Sequence, residues 1–560
     1  MFEQNQNTQA ARIIAMHQIM VNERSTWESH WQEIADRVIP RKSEFTKGKI
    51  PSSETRGEKR SEKMFDATAA LAAERFSAAM ESMLTPRNAR WHKLRCAEES
   101  LKDNHEVNVY IDEVVRILFE NRYAPAANFA SQASEIYLDL GVFGTGCMLI
   151  EDDYGKGLRY MSVPLEQTYF KTNAWGVVDL VHRDFELEAR QAVKEFGNEC
   201  PPQIASAAKL NPSQRFRFLH RVCPNDEYDS DKKDYRGMKY SSCYISITGA
   251  KTVREKGYRT FPYAISRYTV STKENYGRSP AMTVLPAIKM ANEMTKTVLR
   301  SGQRRVDPPL MLTADAALTP FNLRSGAMNA GALDAQGNPL IKPFEVGGDV
   351  GIGLDMIQQQ QKIINEAFLV TLFQILVETP AMTATEAMLR AQEKGALLAP
   401  TQGRQQSEFL GPLIQREIDI LSHADVFPPM PQVLIDAGGE ISIEYEGPMM
   451  QAQKAGDGVA ILNTFQAITP LAQVDPSVLD EFDLPMSARI LAEANGFPAK
   501  GLLSKEAKAE KDAMKAQQAQ TAQLLEAAPV AASSAKDFAQ AQALAGSSPN
   551  QIAPDILGQL

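Results

Sequence analysis

Apolar or aromatic side chains recur along the first forty residues at Ile13, His17, Met20, Trp27, Trp31, Ile34 and Val38. Steps of three and four put them on one stripe, which predicts a long amphipathic helix closed by Pro40. Such a stripe requires a partner surface. Residues 41–63 are polar and basic, with Pro51 and Gly57, and read as a solvated loop. A second helix is expected from about Asp66, a suitable N-cap, through Phe76, Met80, Met83 and Leu84, stopped by Pro86.

From Tyr137 to Val163 the pattern changes. Gly141, Gly144 and Gly146 feed the apolar run CMLI, followed by the turn-rich DDYGKG and then LRYMSV, a strand, tight turn, strand signature. Further short β-like runs fall at 175–185, 215–222, 242–247 and 263–270, separated by Gly, Pro and Asp clusters, so residues 1–279 read as a mixed α+β region. Residues 280–305 read as a helix with Leu285, Ile288, Met294 and Val298 on one side, Pro286 being tolerable in its first turns. The segment 307–348 is rich in Gly, Pro, Asn and Ala, as expected of a small α/β or irregular insertion. A second long helix is expected over 349–377, with Met356, Gln360, Ile363, Ile364, Ala367 and Thr371 sharing a face and its far end buried. From 505 the chain turns Ala- and Gln-rich with one aromatic, Phe538, which predicts a helix that buries little and then a mobile tail.

Composition narrows the function classes. The 560 residues are 44% hydrophobic and 23% charged, ordinary globular proportions for a chain of several domains. Lys and Arg number 60 against 69 Asp and Glu, a net charge of −9, which argues against a protein that coats duplex DNA. No apolar run approaches the roughly 20 residues of a membrane-spanning helix, and the N-terminus has no signal-peptide pattern, so a soluble, unexported chain is expected. Cys96, Cys147, Cys200, Cys223 and Cys243 are odd in number and lack a CxxC pair, so they read as reduced thiols.

Catalytic patterns are wanting. No GK[ST] is present to hold nucleotide phosphates, and GVFGTG leads into a strand and offers no helix N-terminus to an anion. HExxH and GxSxG are absent, and NDEYDSDKKD fails the calcium-loop pattern. No catalytic residue, metal site or cofactor is therefore expected. Lys289, Lys296 and Arg300 share one narrow sector of the first long helix and could face phosphates; Glu293 shares it too, so a salt-bridged face fits equally well.

Six segments in order, FDATAALAAERFSAAMESMLTPRNARWHKL (65–94), LDLGVFGTGCMLIED (138–152), YGRSPAMTVLPAIKMANEM (276–294), VDPPLML (306–312), TATEAMLR (383–390) and EFLGPLIQREIDIL (408–421), resemble the head-to-tail connector, or portal, proteins of short-tailed T7-like bacteriophages. The resemblance implies an α+β portal-type fold assembling as a ring. Its parts would be a mixed α/β wing over 1–279, a two-helix stem over 280–306 and 349–377, and a small α/β clip over 307–348. A channel loop over 378–397, a return to the wing over 398–455 and a helical C-terminal crown over 456–560 would complete it. It implies a homododecamer at one capsid vertex, which docks terminase and then tail adaptor and tail tube proteins. Major capsid and scaffolding proteins would surround it, with no membrane involved. Double-stranded DNA would pass through it transiently and without sequence preference. The particle, and the host cytoplasm during assembly, would be its locations. Channel candidates are then Lys289, Lys296, Arg300, Thr383, Thr385, Glu386 and Arg390. Met356, Ile363, Ile364 and Ala367 would pack the stem, and Asn322, Arg324, Asp334 and Asn338 would face docking partners. The alternatives are a tail or scaffolding component that bounds no channel, or a metal-dependent nuclease or hydrolase using scattered carboxylates.

Overall fold

The structure is a computed structural model that describes residues 2–42, 45, 64–87, 89–102, 104–153, 157–312, 322, 324, 326–329, 332–333, 336–344, 350–371, 401–439, 441–445, 448–472, 478, 481–494, 497, 501–503 and 507–518. Two compact units divide the chain: Met1–Arg95 with Glu113–Met430 and Ile441–Gly456, and Cys96–Asp112 with Pro431–Glu440 and Asp457–Leu560.

The first unit is organised by a five-stranded antiparallel sheet, β4 (Thr168–Thr172), β5 (Val178–Glu188), β6 (Arg215–Pro224), β7 (Tyr240–Ser246) and β8 (Lys251–Tyr258), in that order across the sheet. Alternation sends successive side chains to opposite faces. On one face Phe185, Phe216 and Phe218 pack with Ala189, Ala192 and Phe196 of α5 (Ala189–Phe196) and Ile204 of α6 (Pro202–Leu210). The other face is covered by α1 (Phe2–Val38), whose Ala10 and Ile13 meet Leu219, Cys243 and Ile245, and whose Met20 meets Tyr169, Leu180 and Cys223. The N-terminal stripe thus finds its partner surface. Arg24 fixes the docking: its guanidinium donates to the carbonyls of Leu165, Glu166 and Thr168 and to Glu28, and lies 3.5 Å from the Tyr169 ring centroid.

A three-stranded sheet ordered β3 (Leu158–Ser162), β2 (Thr145–Asp152), β9 (Tyr263–Arg267) forms a second layer in this unit. It packs against α4 (Phe129–Phe143) and α10 (Gly411–His423). The hairpin expected near 137–163 is β2 and β3, but the strand does not begin at Tyr137. Helix α4 runs through Gly141, where a Cβ would stand 2.6 Å from the Phe76 ring of α2 (Thr68–Leu84), and it ends at Gly144 with φ +76°. The glycines serve helix packing and a helix end before the strand starts. The helix expected over 280–305 is likewise divided, into α7 (Pro280–Thr283) and α8 (Leu285–Val306), with Ser279 Oγ accepting from Met282 N at 3.0 Å. The short pair β1 (His92–Cys96) and β12 (Ile441–Tyr445) is tied by Arg95 to Glu444. Helix α3 (His105–Arg122) starts in the second unit's residues and ends in the first's.

In the second unit Asn104 Oδ1 accepts from the amides of Glu106 and Val107 and caps the start of α3. The unit also holds α11 (Gln432–Asp436), most of α12 (Pro448–Ala472), α13 (Leu484–Ala494) and α14 (residues 507–518). Phe465 and Phe482 rings meet at 5.9 Å, and Arg489 donates to the carbonyl of Leu503. Leu462, Leu471, Leu484, Met486 and Met514 are exposed. The expected helix from 505 is present in α14; the expected mobile tail lies outside the described residues.

Candidate functional site

The two long helices that bracket the insertion pack directly on one another. Helix α8 leads through β10 (Leu310–Leu312), antiparallel to β11 (Ile341–Pro343), and the chain returns as α9 (Val350–Ala367). A Cβ on Gly353 would lie 2.9 Å from Val298 Cγ2, so glycine is what allows the helices this approach. Buried Asn292 of α8 accepts at Oδ1 from the amides of Phe65 and Asp66, at 2.6 and 3.1 Å, and Gln361 of α9 donates to Asp66 Oδ2 at 2.8 Å. One polar knot therefore ties both helices to the start of α2, where backbone amides would otherwise lack acceptors.

The buried face of α9 is Ile357 and Ile364, with Phe368 just beyond it meeting the Phe76 ring. Of the expected stem-packing residues, Ile364 is 1% exposed and Ala367 half-buried, while Met356 and Ile363 are exposed at 44% and 40%. The face turned inward is rotated from the one sequence spacing suggests, because Ile352, Leu354 and Ile357 make α9 apolar on more than one side. Exposed Met290, Leu299 and Val306 on α8 add to Ile352, Leu354, Met356 and Ile363 on α9, a set of large apolar side chains that the described residues leave exposed.

The cations of α8 differ from one another. Lys289 is paired with Glu33 of α1. Lys296 lies 3.4 Å from Glu293 and 5.4 Å from the Phe65 ring centroid. Arg300 is exposed, and among the described residues no carboxylate pairs with it. Beside Lys289, His30 is held below the usual histidine range, chiefly by burial and then by Arg278. The open choice between a phosphate-facing and a salt-bridged sector thus divides along the helix, with carboxylates at Lys289 and Lys296 and a bare guanidinium one turn further.

In the insertion, Asn322 and Asn329 are mutually bonded: Asn322 N donates to Asn329 Oδ1 at 2.8 Å and Asn329 Nδ2 returns to Asn322 O at 2.9 Å. Arg324 and Asn338 are exposed. Asp334 lies outside the described residues, as do Thr383, Thr385, Glu386, Arg390 and the last turns of the helix expected to reach 377.

Several buried charges escaped sequence reasoning. Arg122 of α3 and Glu417 of α10 pair with neither side chain exposed, and Tyr160 donates to the same carboxylate at 2.5 Å. Arg267 of β9 binds Glu408, and Asp184 of β5 joins Arg217 and His17, all three in the first unit. Their partners lie far apart along the chain, so no local spacing announces them. Among the described residues no group of acidic, His or Cys side chains is arranged to hold a metal ion, and no helix is long and apolar enough to cross a membrane.

Residues 10–503 match the family described as bacteriophage head to tail connecting protein. The portal protein of Salmonella phage epsilon15 is 28% identical over 544 residues, 96% of either chain. The probable portal protein of Bordetella phage BPP-1 is 27% identical over 481 residues, 85% of either chain. Among solved structures, a chain from the neck of an empty GTA particle, computed with C6 symmetry, has a TM-score of 0.35 at 10% identity, covering 71% of this chain and 86% of its own. A chain from the neck of the native particle, computed with C12 symmetry, has a TM-score of 0.34 at 12% identity, covering 70% and 88%.

Proposed function

The chain belongs to the bacteriophage head to tail connecting protein family, and we propose that it acts as the portal subunit, closing with further copies into a dodecameric ring at one capsid vertex. The ring is a passive conduit and docking platform. Terminase engages it while DNA is driven in, tail adaptor and tube proteins replace terminase, and DNA leaves by the same route. Capsid and scaffolding proteins hold its rim.

The observation that carries this reading is the pair of mutually packed helices α8 and α9, anchored on α2 and still presenting Met290, Leu299, Val306, Ile352, Leu354, Met356 and Ile363 to solvent. A subunit that joins head to tail needs two different complementary faces, and uncovered apolar sides of paired helices supply them. Residues 280–306 and 349–377 serve as the stem, 307–348 as the clip, 1–279 and 398–455 as the wing, 378–397 as the channel loop and 456–560 as the crown. Electrostatics favours sparse contact with DNA, since each phosphate neutralised by a cation releases counterions and tightens binding, and a duplex in transit must not be held. Carboxylates beside Lys289 and Lys296 limit that grip, and of these three candidates Arg300 is left as the contact.

Sedimentation and negative-stain imaging of the purified protein test the proposal. A ring of about twelve subunits with an axial hole is expected; a stable monomer at micromolar concentration overturns it.

A further inference from the structure

A cleft of about 900 Å³ lies in the first unit between the β4–β5 turn, the chain joining β8 to β9, the loop 270–275 and the helical turn leading into α10. Arg267 of β9 fastens its walls. That side chain is 4% exposed and paired with Glu408, and it donates to Gly176 O at 2.8 Å and to Asn275 O at 3.1 Å, so one guanidinium holds three of the bounding segments together. The cleft is therefore preformed, and a ligand entering it has little further chain to order.

The charge inside is one-sided. Lys239, Arg259, Arg267, Lys273 and Arg404 line the cleft against two carboxylates, Glu274 and Glu408. Both carboxylates are already engaged, Glu408 by Arg267 and Arg404, Glu274 by Arg278. Lys239, Arg259 and Lys273 are exposed, and among the described residues no carboxylate pairs with them; Arg259 meets His423 Nδ1 at 3.1 Å. This is a local excess of cations in a chain whose net charge is −9. The β6–β7 loop beside it turns charges on one another, Glu227 on Arg236 and Asp229 on Lys232. Lys273 takes φ +74°, a backbone conformation that a residue with a Cβ adopts at a cost. At the rim Trp175 is 90% exposed and Val177 60%, on a turn fixed by Asn173 Oδ1, which accepts from the amides of both.

We propose that this cleft docks an acidic peptide segment of another protein, with its carboxylates on Lys239, Arg259 and Lys273 and an apolar side chain against Trp175. Three unpaired cations on separate segments match carboxylates spaced along an extended chain, and the exposed ring beside them supplies the apolar anchor. A phosphate cradle would present backbone amides, but those of Trp175, Gly176 and Val177 donate to Asn173 and that of Glu274 to Ser271 O. Single-stranded nucleic acid calls for a row of open rings; beyond Trp175, the rings of Tyr240 and Phe261 are half-buried against each other at 5.2 Å.

Fluorescence anisotropy on the full chain tests this, with a fluorescein-labelled peptide of glutamates around one leucine as the probe. Binding is expected, accompanied by a change in Trp175 emission, and weakened about ten-fold or more in K239E with K273E. The same peptide with glutamines for glutamates should not bind. Both lysines are exposed, so the variant should keep the native circular dichroism; were it misfolded, W175A decides, and unchanged affinity there overturns the proposal. It is also overturned if the double variant binds as the native chain does, or if the glutamine peptide binds equally well. Tighter binding of an oligothymidylate of the same charge would make this a nucleic-acid site and reject the peptide. Binding by dissociated subunits that is lost in rings would mean that a second copy fills the cleft, which rejects a foreign partner.

Discussion

Arg122 and Glu417 meet in a two-pronged ion pair, Nε to Oε1 at 2.9 Å and Nη2 to Oε2 at 2.5 Å, with neither side chain exposed. The Trp91 ring lies 4.5 Å from the guanidinium carbon, and Tyr160 fills a third bonding position on the carboxylate. Burying two charges costs desolvation that the pairing offsets only while both partners remain.

Glu417→Ala should therefore destabilise the folded chain by about 3–5 kcal/mol, since Arg122 would be left buried and uncompensated. Replacing both residues, as in R122M with E417L, should recover much of that loss. Chemical unfolding followed by circular dichroism measures both; a double variant no more stable than E417A would show that the pair is not the source.

The two isoleucines of α9 should separate folding from assembly. Ile364 is buried within the subunit, so I364D should lower subunit stability by about 3–5 kcal/mol. Ile363 is exposed, so I363D should melt close to the native temperature yet fail to close into rings. Thermal unfolding combined with sedimentation distinguishes them, and normal rings from a folded I363D would remove α9's outer side from the interface.

Acid should weaken the fold in two stages. Burial lowers His182 to about 3, so between the unfolded value near 6.5 and that figure only the unfolded chain takes up the proton, and stability falls as pH falls. Asp184 sits well below the usual carboxylate range despite its burial, because Arg217 and His17 bond to it, so its contribution is present above about pH 4 and is lost as pH drops further. Unfolding midpoints taken from pH 7 to 4 should decline, and H182Q should decline less steeply over that interval. Equal slopes in the two proteins would refute the role of His182.

Gly144 and Gly277 face each other so closely that a Cβ on the first would lie 2.5 Å from the carbonyl oxygen of the second, and one on Gly277 would lie 2.1 Å from that of Gly144. Gly277→Ala should cost about 1–3 kcal/mol or prevent soluble expression, since backbone must shift to admit the methyl group. A thermal midpoint unchanged from the native protein would show that the two segments can part freely.

Deleting residues 383–386 tests the channel loop. Rings should assemble as before, while packaging or retention of DNA falls in complemented phage; heads that fill and hold DNA normally would reject the assignment.

What could be read from the residues follows how far each signal reaches along the chain. The stripe from Ile13 to Val38 made α1 legible, but not the sheet it covers, whose nearest strand begins at Thr168. Strands β5, β6, β7 and β9 were recognisable from runs such as RFRFLHRV. The strands β1 and β8 were not: HKLRC is short, and KTVREKGY is polar because β8 is a sheet edge, mostly half-exposed. On α9 the spacing located a helix without telling which apolar side turns inward, since that is decided by α2 and α8. Of the polar knot of Asn292, Asp66 and Gln361, only Asp66 left a mark in sequence, as the N-cap expected before α2; Asn292 and Gln361 are ordinary polar residues of their helices.

The span between α1 and its sheet has a consequence during synthesis. The helix leaves the ribosome before any strand of that sheet, and its seat is incomplete until β8 ends at Tyr258. At about 5–20 residues per second, the apolar flank of α1 stays bare for tens of seconds on every nascent chain. A holding chaperone on the emerging helix would therefore raise the yield of folded subunits.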